Sequence, residues 1–297
     1  MVRDNGRGGR LGDVKRSANN VHALVPWAAR VLWIAPGALA PWTTIGDTRS
    51  APVAVVLAVL GWTAWGGVFL ALLVPSALSL TAVRTVTPLM ILCAVWSGEP
   101  LSILLAVVGV VPLWSASVAD WLVQGGAYGA ETRFCLRTPF VQVLAAVPVW
   151  ALFAGCVLVG PPALAAGNPF LGVPLVLLAA VLARTVPARL HRMSRRWLVL
   201  VPAGTVVHDH MVLAETVMVR RANLAGIGEC SAGGEAADLT GGTFGRRIEL
   251  TLGTAEKVLL TKVAMRVLRT SQALHVQTFT VNPLRRRDAL EALTGGR

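Results

Sequence analysis

His208, Asp209 and His210 form the one dense cluster of ligand-type side chains in this chain of 297 residues. In an extended strand His208 and His210 share a face with their backbones about 7 Å apart, so two imidazoles could meet on one metal ion. Asp209 faces the other way, and nothing in the spacing marks a third ligand for a tetrahedral site. The simpler expectation is a polar turn between two strands, with no metal and no cofactor. Other chemical signatures are missing. The glycines of GGEAADLTGGTFG contain neither GK[ST] nor GxGxxG, and no GxSxG or HExxH occurs. No serine or cysteine has a recognisable base partner, and the four cysteines (Cys93, Cys135, Cys156, Cys230) show no CxxC spacing, so they read as free thiols. The expectation is a protein that is not an enzyme.

The second chemistry-bearing group is cationic. ARTVPARLHRMSRRW, from Ala183 to Trp197, places Arg184, Arg189, Arg192, Arg195 and Arg196 directly after an apolar run. Of these, Arg189, Arg192, Arg195 and Arg196 are expected to contact lipid headgroups. Arginines at the end of a hydrophobic segment mark a cytoplasmic side under the positive-inside rule.

The elements that position these groups follow from composition. With 55% apolar and 14% charged residues the chain is too apolar for an ordinary soluble protein. The formal charge of +12 concentrates at the ends: residues 1–21 carry 5 basic and 2 acidic side chains, and residues 187–297 carry 16 and 9. No basic run is interleaved with stacking aromatics, so a nucleic-acid partner is not expected. The expected partners are the lipid bilayer, anionic lipids in particular, and a membrane or cytosolic protein.

Residues 1–21 read as a disordered cytoplasmic tail. Residues 22–190 read as six transmembrane helices: 22–42, Pro52–Val74, Leu78–Trp96, Leu101–Ala119, Pro139–Val159 and Pro169–Val186. The first is interrupted by Pro26, Arg30 and Pro36. It also resembles a signal peptide ending in a small-x-small ALA at Ala38 to Ala40, but Arg30 splits its apolar region. Six spans leave only Arg49 among the outside loops and put both termini in the cytoplasm, whereas five would strand the basic tail outside. The polar side chains in or at the ends of spans are Arg30, Arg84 and Asp120. Arg84 is expected to snorkel, and Arg30 to pair with Asp120 or a neighbouring helix's carbonyls. The Trp residues are read equally as interface anchors and as packing between helices.

Residues 191–297 read as a cytosolic β-rich domain. WLVLVP, GTVVHDH and ETVMVRR are short Val-rich runs, RRIELTLG alternates with Ile248, Leu250 and Leu252 on one face, and LHVQTFTV is a further strand. VLLTKVAMRVL fits either strand or helix. ECSAGGEAADLTGG, from Glu229 to Gly242, reads as a flexible loop. Asn282 and Pro283 look like the cap and first residue of a closing helix.

The segments RRWLVLVPAGTVVHDHMVLAETVMVRR, PWAARVLWIAPGALAPW and LVPSALSLTAVRTVTP resemble a group of uncharacterised actinobacterial multi-pass integral membrane proteins. The C-terminal part is similar, more loosely, to bacterial PH-like domains that follow membrane helices. These likenesses imply a domain organisation: a six-helix membrane bundle plus a small, mostly-β PH-like cytosolic domain with a short C-terminal helix, in a bacterial cytoplasmic membrane. The function expected is that of a membrane scaffold or regulatory protein presenting its β-domain at the inner leaflet. A transporter or export-complex subunit and a membrane-embedded enzyme of envelope lipids are the alternatives.

Overall fold

The computed structural model describes residues 24–230, 236–268, 270 and 273–295. The N-terminal tail expected over residues 1–21 lies outside them. The first half is helical: α1 (24–39), α2 (Pro41–Asp47), α3 (Ala51–Leu73), α4 (Ala77–Ser97), α5 (Pro100–Val110), α6 (Ala116–Gln124), α7 (Phe140–Ala165), α8 (Pro169–Ala183) and α9 (Val186–Ser194). Five helical stretches are long and apolar enough to cross a membrane: Leu24–Asp47, Ala51–Leu73, Ala77–Ser97, Phe140–Ala165 and Pro169–Ser194.

A sixth crossing exists only if Pro100–Trp114 and Ala116–Gln124, bent by 59° at their junction, count as one. The expected straight helix over Leu101–Ala119 is broken because Pro112 has no N–H to donate, and the chain tightens into a 3-10 turn over Val111–Trp114. Ser115 then caps a new helix by accepting from the Val118 amide at 3.3 Å.

The first helical stretch continues past Pro36 and bends at Ala40, whose φ of 42° is the one positive value at a non-glycine residue in the described chain. Its packing uses indoles as cross-links. Trp33 Nε1 donates to the Trp65 carbonyl and Trp65 Nε1 to the Trp33 carbonyl, both at 3.0 Å, joining α1 to α3. Gly61 is required where α2 packs on α3, since a Cβ there would lie 2.2 Å from the Trp42 ring. Trp33 and Trp42 are buried, whereas Trp27, Trp62, Trp96 and Trp114 lie exposed on the helical surface.

The second half is β-rich. One sheet, in the order β1-β2-β3-β4, pairs β1 (Thr132–Cys135), β2 (Arg196–Val201), β3 (Gly204–Asp209) and β4 (Val217–Arg220), all antiparallel. The other, in the order β5-β7-β8-β6, contains β5 (Leu224–Cys230), β7 (Arg247–Leu259), β8 (Ala273–Val281) and the short β6 (Ala237–Asp238), parallel to β8. Part of the expected loop from Glu229 to Gly242 is therefore sheet.

The two sheets share one core that includes Leu198, Val207, Val219, Leu250 and Phe279, closed by Ala289 and Leu293 of α11 (Arg286–Gly295). Ile248, Leu250 and Leu252 are buried as their alternation requires. The ambiguous run splits into the end of β7 and α10 (Lys262–Leu268). The closing helix starts later than expected. Asn282 is not its cap: it is buried, and its amide donates to Thr243 Oγ1 at 3.0 Å and to the Phe244 carbonyl at 3.1 Å.

β1 lies between α6 and α7, among the helices, yet it is the edge strand of the first sheet. Phe134 and Leu136 enter the β core, while Cys135 packs with the helices. Trp197 and Val199 of β2 belong to that same helical core, which also contains Trp33, Leu72 and Leu122. The two halves thus share packing as well as chain.

Candidate functional site

The site is built where the helices meet the β-domain. α6 holds β1 through two side chains one turn apart, Asp120 and Gln124. Asp120 Oδ1 accepts from the Cys135 amide at 2.7 Å; Gln124 Oε1 accepts from the Arg133 amide and its Nε2 donates to the Glu131 carbonyl, both at 2.8 Å. Residues 131, 133 and 135 share the edge of β1 that faces away from β2, so α6 presents side chains where a further strand would otherwise pair. That edge is completed by the amide of Leu284 donating to the Cys135 carbonyl and the amide of Arg137 donating to the Asn282 carbonyl, both at 2.8 Å. Asp120 is therefore a structural group and not the partner of Arg30. Its other carboxylate oxygen is buried with no partner among the described residues.

Arg30 is matched instead to the end of α3. Its Nε donates to the Leu72 carbonyl at 3.1 Å, and its guanidinium lies 5.3 Å and 5.6 Å from the ring centres of Trp27 and Trp121. The last carbonyls of a helix lack internal donors and carry its negative pole, so a cation there is well placed. Two indole faces complete its surroundings.

Of the four arginines expected at headgroups, Arg196 is elsewhere. It opens β2 with its side chain pointing inward. Its Nε donates to Asp209 Oδ1 at 2.8 Å, its Nη2 to Asp209 Oδ2 at 2.6 Å, and its Nη1 to the Arg137 carbonyl at 2.7 Å. A further bond reaches the Thr240 carbonyl at 3.2 Å. One buried guanidinium thus ties β2, β3, the strand from the helical half and the loop before β7. Arg189, Arg192 and Arg195 are exposed, and none forms a salt bridge among the described residues. Arg133, Arg196, Arg246, Arg247, Arg285 and Arg286 all have carboxylate partners.

α9 carries the exposed arginines on one face and Val186, Leu190 and Met193 on the other, the pattern of a helix lying along an interface. His191 Nδ1 lies 2.8 Å from Thr81 Oγ1 and fixes α9 to α4. Between α9, the start of α7, the turn after β3 and α10 lies a cavity of about 580 Å³, with Arg189, Arg192, His210 and Val263 on its wall. A second, of about 490 Å³, shares Ala146, Leu190 and Met193 with the first and reaches between α4 and α7 to Arg84. Beside it all, Phe244 of the β-domain meets Phe140 at the start of α7 with ring centres 6.0 Å apart, and both stay exposed.

His208 and His210 are brought together, with ring centres 4.3 Å apart, but as part of a stack. Register pairs Trp197 with His208 across β2 and β3, and their rings lie 4.8 Å apart at 12°; Arg133 covers the other indole face at 5.4 Å. His208 Nδ1 is 3.2 Å from Thr216 Oγ1. Among the described residues no group of three His, Cys, Asp or Glu side chains could hold a metal. Asp209, which the extended strand was expected to turn away from the two imidazoles, is bonded to Arg196.

Burial pushes the His208 imidazole down to about 4, and the positive charges of His210 and Arg195 push it the same way. An unfolded histidine titrates near 6.5. Between the two values the unfolded chain binds the extra proton, so the contribution is complete above about 6.5 and is lost as pH falls toward 4. We expect the wild type to lose about 1 kcal/mol of stability over that window relative to His208→Phe, a figure discounted for partial exposure. Thermal unfolding of the two proteins in the same detergent measures it; equal pH dependence would contradict the assignment.

Sequence reasoning did not find the Asp120–Gln124 brace, the Arg196–Asp209 pair or the Arg84 cavity. The spacing of Asp120 and Gln124 was the available signal for the first. Comparison of the chain with protein-family models, with curated proteins and with solved structures found no match.

Proposed function

We propose that the chain is a non-enzymatic integral membrane protein of a bacterial cytoplasmic membrane that holds its β-domain rigidly on the inner leaflet as a surface for lipid or protein contact. The observation that carries this reading is β1. Because a strand of the β-domain is supplied from between two apolar helices, the domain has no free tether and keeps one attitude to the helical bundle.

Charge gives the orientation. Arg30, Arg84, Arg133, Arg137, Arg184, Arg189, Arg192 and Arg195 belong to the end of the bundle that meets the β-domain, and the connections at the other end carry only Arg49. Basic residues accumulate on the cytoplasmic side, which supports a cytoplasmic β-domain in this reading. α9 then lies at headgroup depth with its arginines toward anionic lipid. Phe244 and Val263, exposed at 75% and 62%, are apolar groups of the β-domain on the same side.

The test uses the full-length protein in liposomes. A fluorophore at Phe244→Cys should be quenched by headgroup-labelled lipid. The double substitution Arg189→Glu, Arg192→Glu should weaken that quenching in anionic vesicles, since each basic residue near such a surface contributes about 1 kcal/mol. A label at 244 as accessible to aqueous quencher as a free dye, with or without the arginines, would sink the reading.

A further inference from the structure

The geometry points to a binding site for one anionic phospholipid in the cleft between α4 and α7, with Arg84 as the group that takes its phosphate. This rests on the membrane reading above. Arg84 lies two turns into α4 and was expected to snorkel outward; instead its side chain lines the cavity of about 490 Å³. Among the described residues it forms no hydrogen bond and no salt bridge. Asp120 is near enough to attract it, but no hydrogen bond or salt bridge joins the two: Asp120 Oδ1 accepts from the Cys135 amide, and its Oδ2 has no hydrogen-bond partner among the described residues. Five N–H donors in a partly buried, mostly apolar place without an acceptor are costly unless something outside the chain supplies one.

The walls define the rest of the occupant. Trp114 and Trp150 have both indole N–H groups engaged, to Thr87 Oγ1 and to the Thr85 carbonyl, each at 2.9 Å, so they offer apolar ring faces. Val143 and Val147, on the outward side of α7, are 38% and 54% exposed and continue the wall onto the lipid-facing surface. Thr138 and Ser194, both hydroxyl-bearing residues, line the same cavity as Arg84. Pro88, also on the wall, has no N–H to give the Arg84 carbonyl four residues earlier, which loosens α4 at this point. A guanidinium and hydroxyls at one end with an apolar wall leading into the bilayer match a phosphodiester headgroup and the upper part of an acyl chain. A free phosphate would use the first and leave the second empty.

Full-length protein exchanged into zwitterionic phosphatidylcholine should be titrated with phosphatidylglycerol and followed by native mass spectrometry. Wild type should retain one phosphatidylglycerol per chain in preference to phosphatidylcholine. Arg84→Gln should weaken retention roughly 10- to 100-fold, the range for losing a charge-assisted bond. Val147→Trp, which keeps Arg84 and fills the cleft, should do the same, so a folding defect in either variant alone does not decide the matter. Arg49→Gln, at the opposite end of the helical bundle, should leave retention unchanged. Equal retention by wild type and both cleft variants overturns the site, as does equal retention of phosphatidylcholine. Inorganic phosphate displacing the lipid at matched concentration would overturn the acyl-chain half of the assignment. If quenching at residue 244 persists while lipid retention fails these tests, the site falls and the membrane reading stands.

Discussion

Asp209→Ala is expected to unfold the first sheet under conditions in which the wild type is stable. The substitution leaves the Arg196 guanidinium, 1% exposed at its side chain, buried without an acid. It also removes the acceptor of the Met211 amide, bonded at 3.0 Å. Breaking a buried pair by deleting one partner costs about 3–5 kcal/mol, because the remaining charge has neither water nor counter-ion. That is a large part of the stability of an ordinary domain. Arg196→Met should cost less, since Asp209 keeps its bond to the Met211 amide. Amide exchange of Val206 and Val207 in detergent reads the effect locally, which matters because a two-part protein need not unfold in one step. Protection within about tenfold of wild type would show that the pair is dispensable.

The second large effect concerns the β-domain cut free. A fragment of residues 195–297 contains seven of the eight strands, but it lacks β1. Losing β1 removes Phe134 and Leu136 from the β core, where single truncations of such residues to alanine cost about 2–5 kcal/mol each. It also uncovers the edge of β2, whose Leu198 and Val199 are almost fully buried in the intact chain, and an uncovered apolar edge strand recruits other chains. The fragment should therefore aggregate or remain partly unfolded, while a chain that joins residues 131–137 to it through a flexible linker should be monomeric. Size-exclusion chromatography with amide spectra distinguishes the two. A monodisperse, fully folded fragment without the added strand would contradict the shared architecture.

These two predictions mark where reading the chain alone ran out. Strong local patterns were legible: the helices at Ala51–Leu73 and Ala77–Ser97 follow from apolar runs long enough to cross a bilayer, and the burial of Ile248, Leu250 and Leu252 follows from strict alternation in their own residues. β1 was not legible, because TRFC is too short to show a period and is held by partners far along the chain. β5 was missed for a related reason, as Gly226 and Gly228 interrupt a run that its pairing with β7 nevertheless sustains.

Arg196 was assigned to headgroups because it follows Arg192 and Arg195. Yet α9 ends at Ser194, and a change from helix to strand between Arg195 and Arg196 sends neighbouring cations to opposite environments. Asn282 was taken for a cap on local grounds and is committed instead to Thr243 and Phe244. For the candidate site, Arg84 could be singled out, but what it faces depends on α7 and α9, which sequence order does not bring beside α4.

The brace from Asp120 and Gln124 to β1 has a consequence for how the protein is made. β1 leaves the ribosome before α7, α8 and α9, and long before β2. Until β2 arrives it has no sheet to join. α6 can hold its outer edge during that interval, so the strand waits in position while the next two apolar helices are inserted. The β-domain then assembles onto a strand already held by α6. The two side chains that hold β1 in the finished fold can therefore also hold it before its sheet exists.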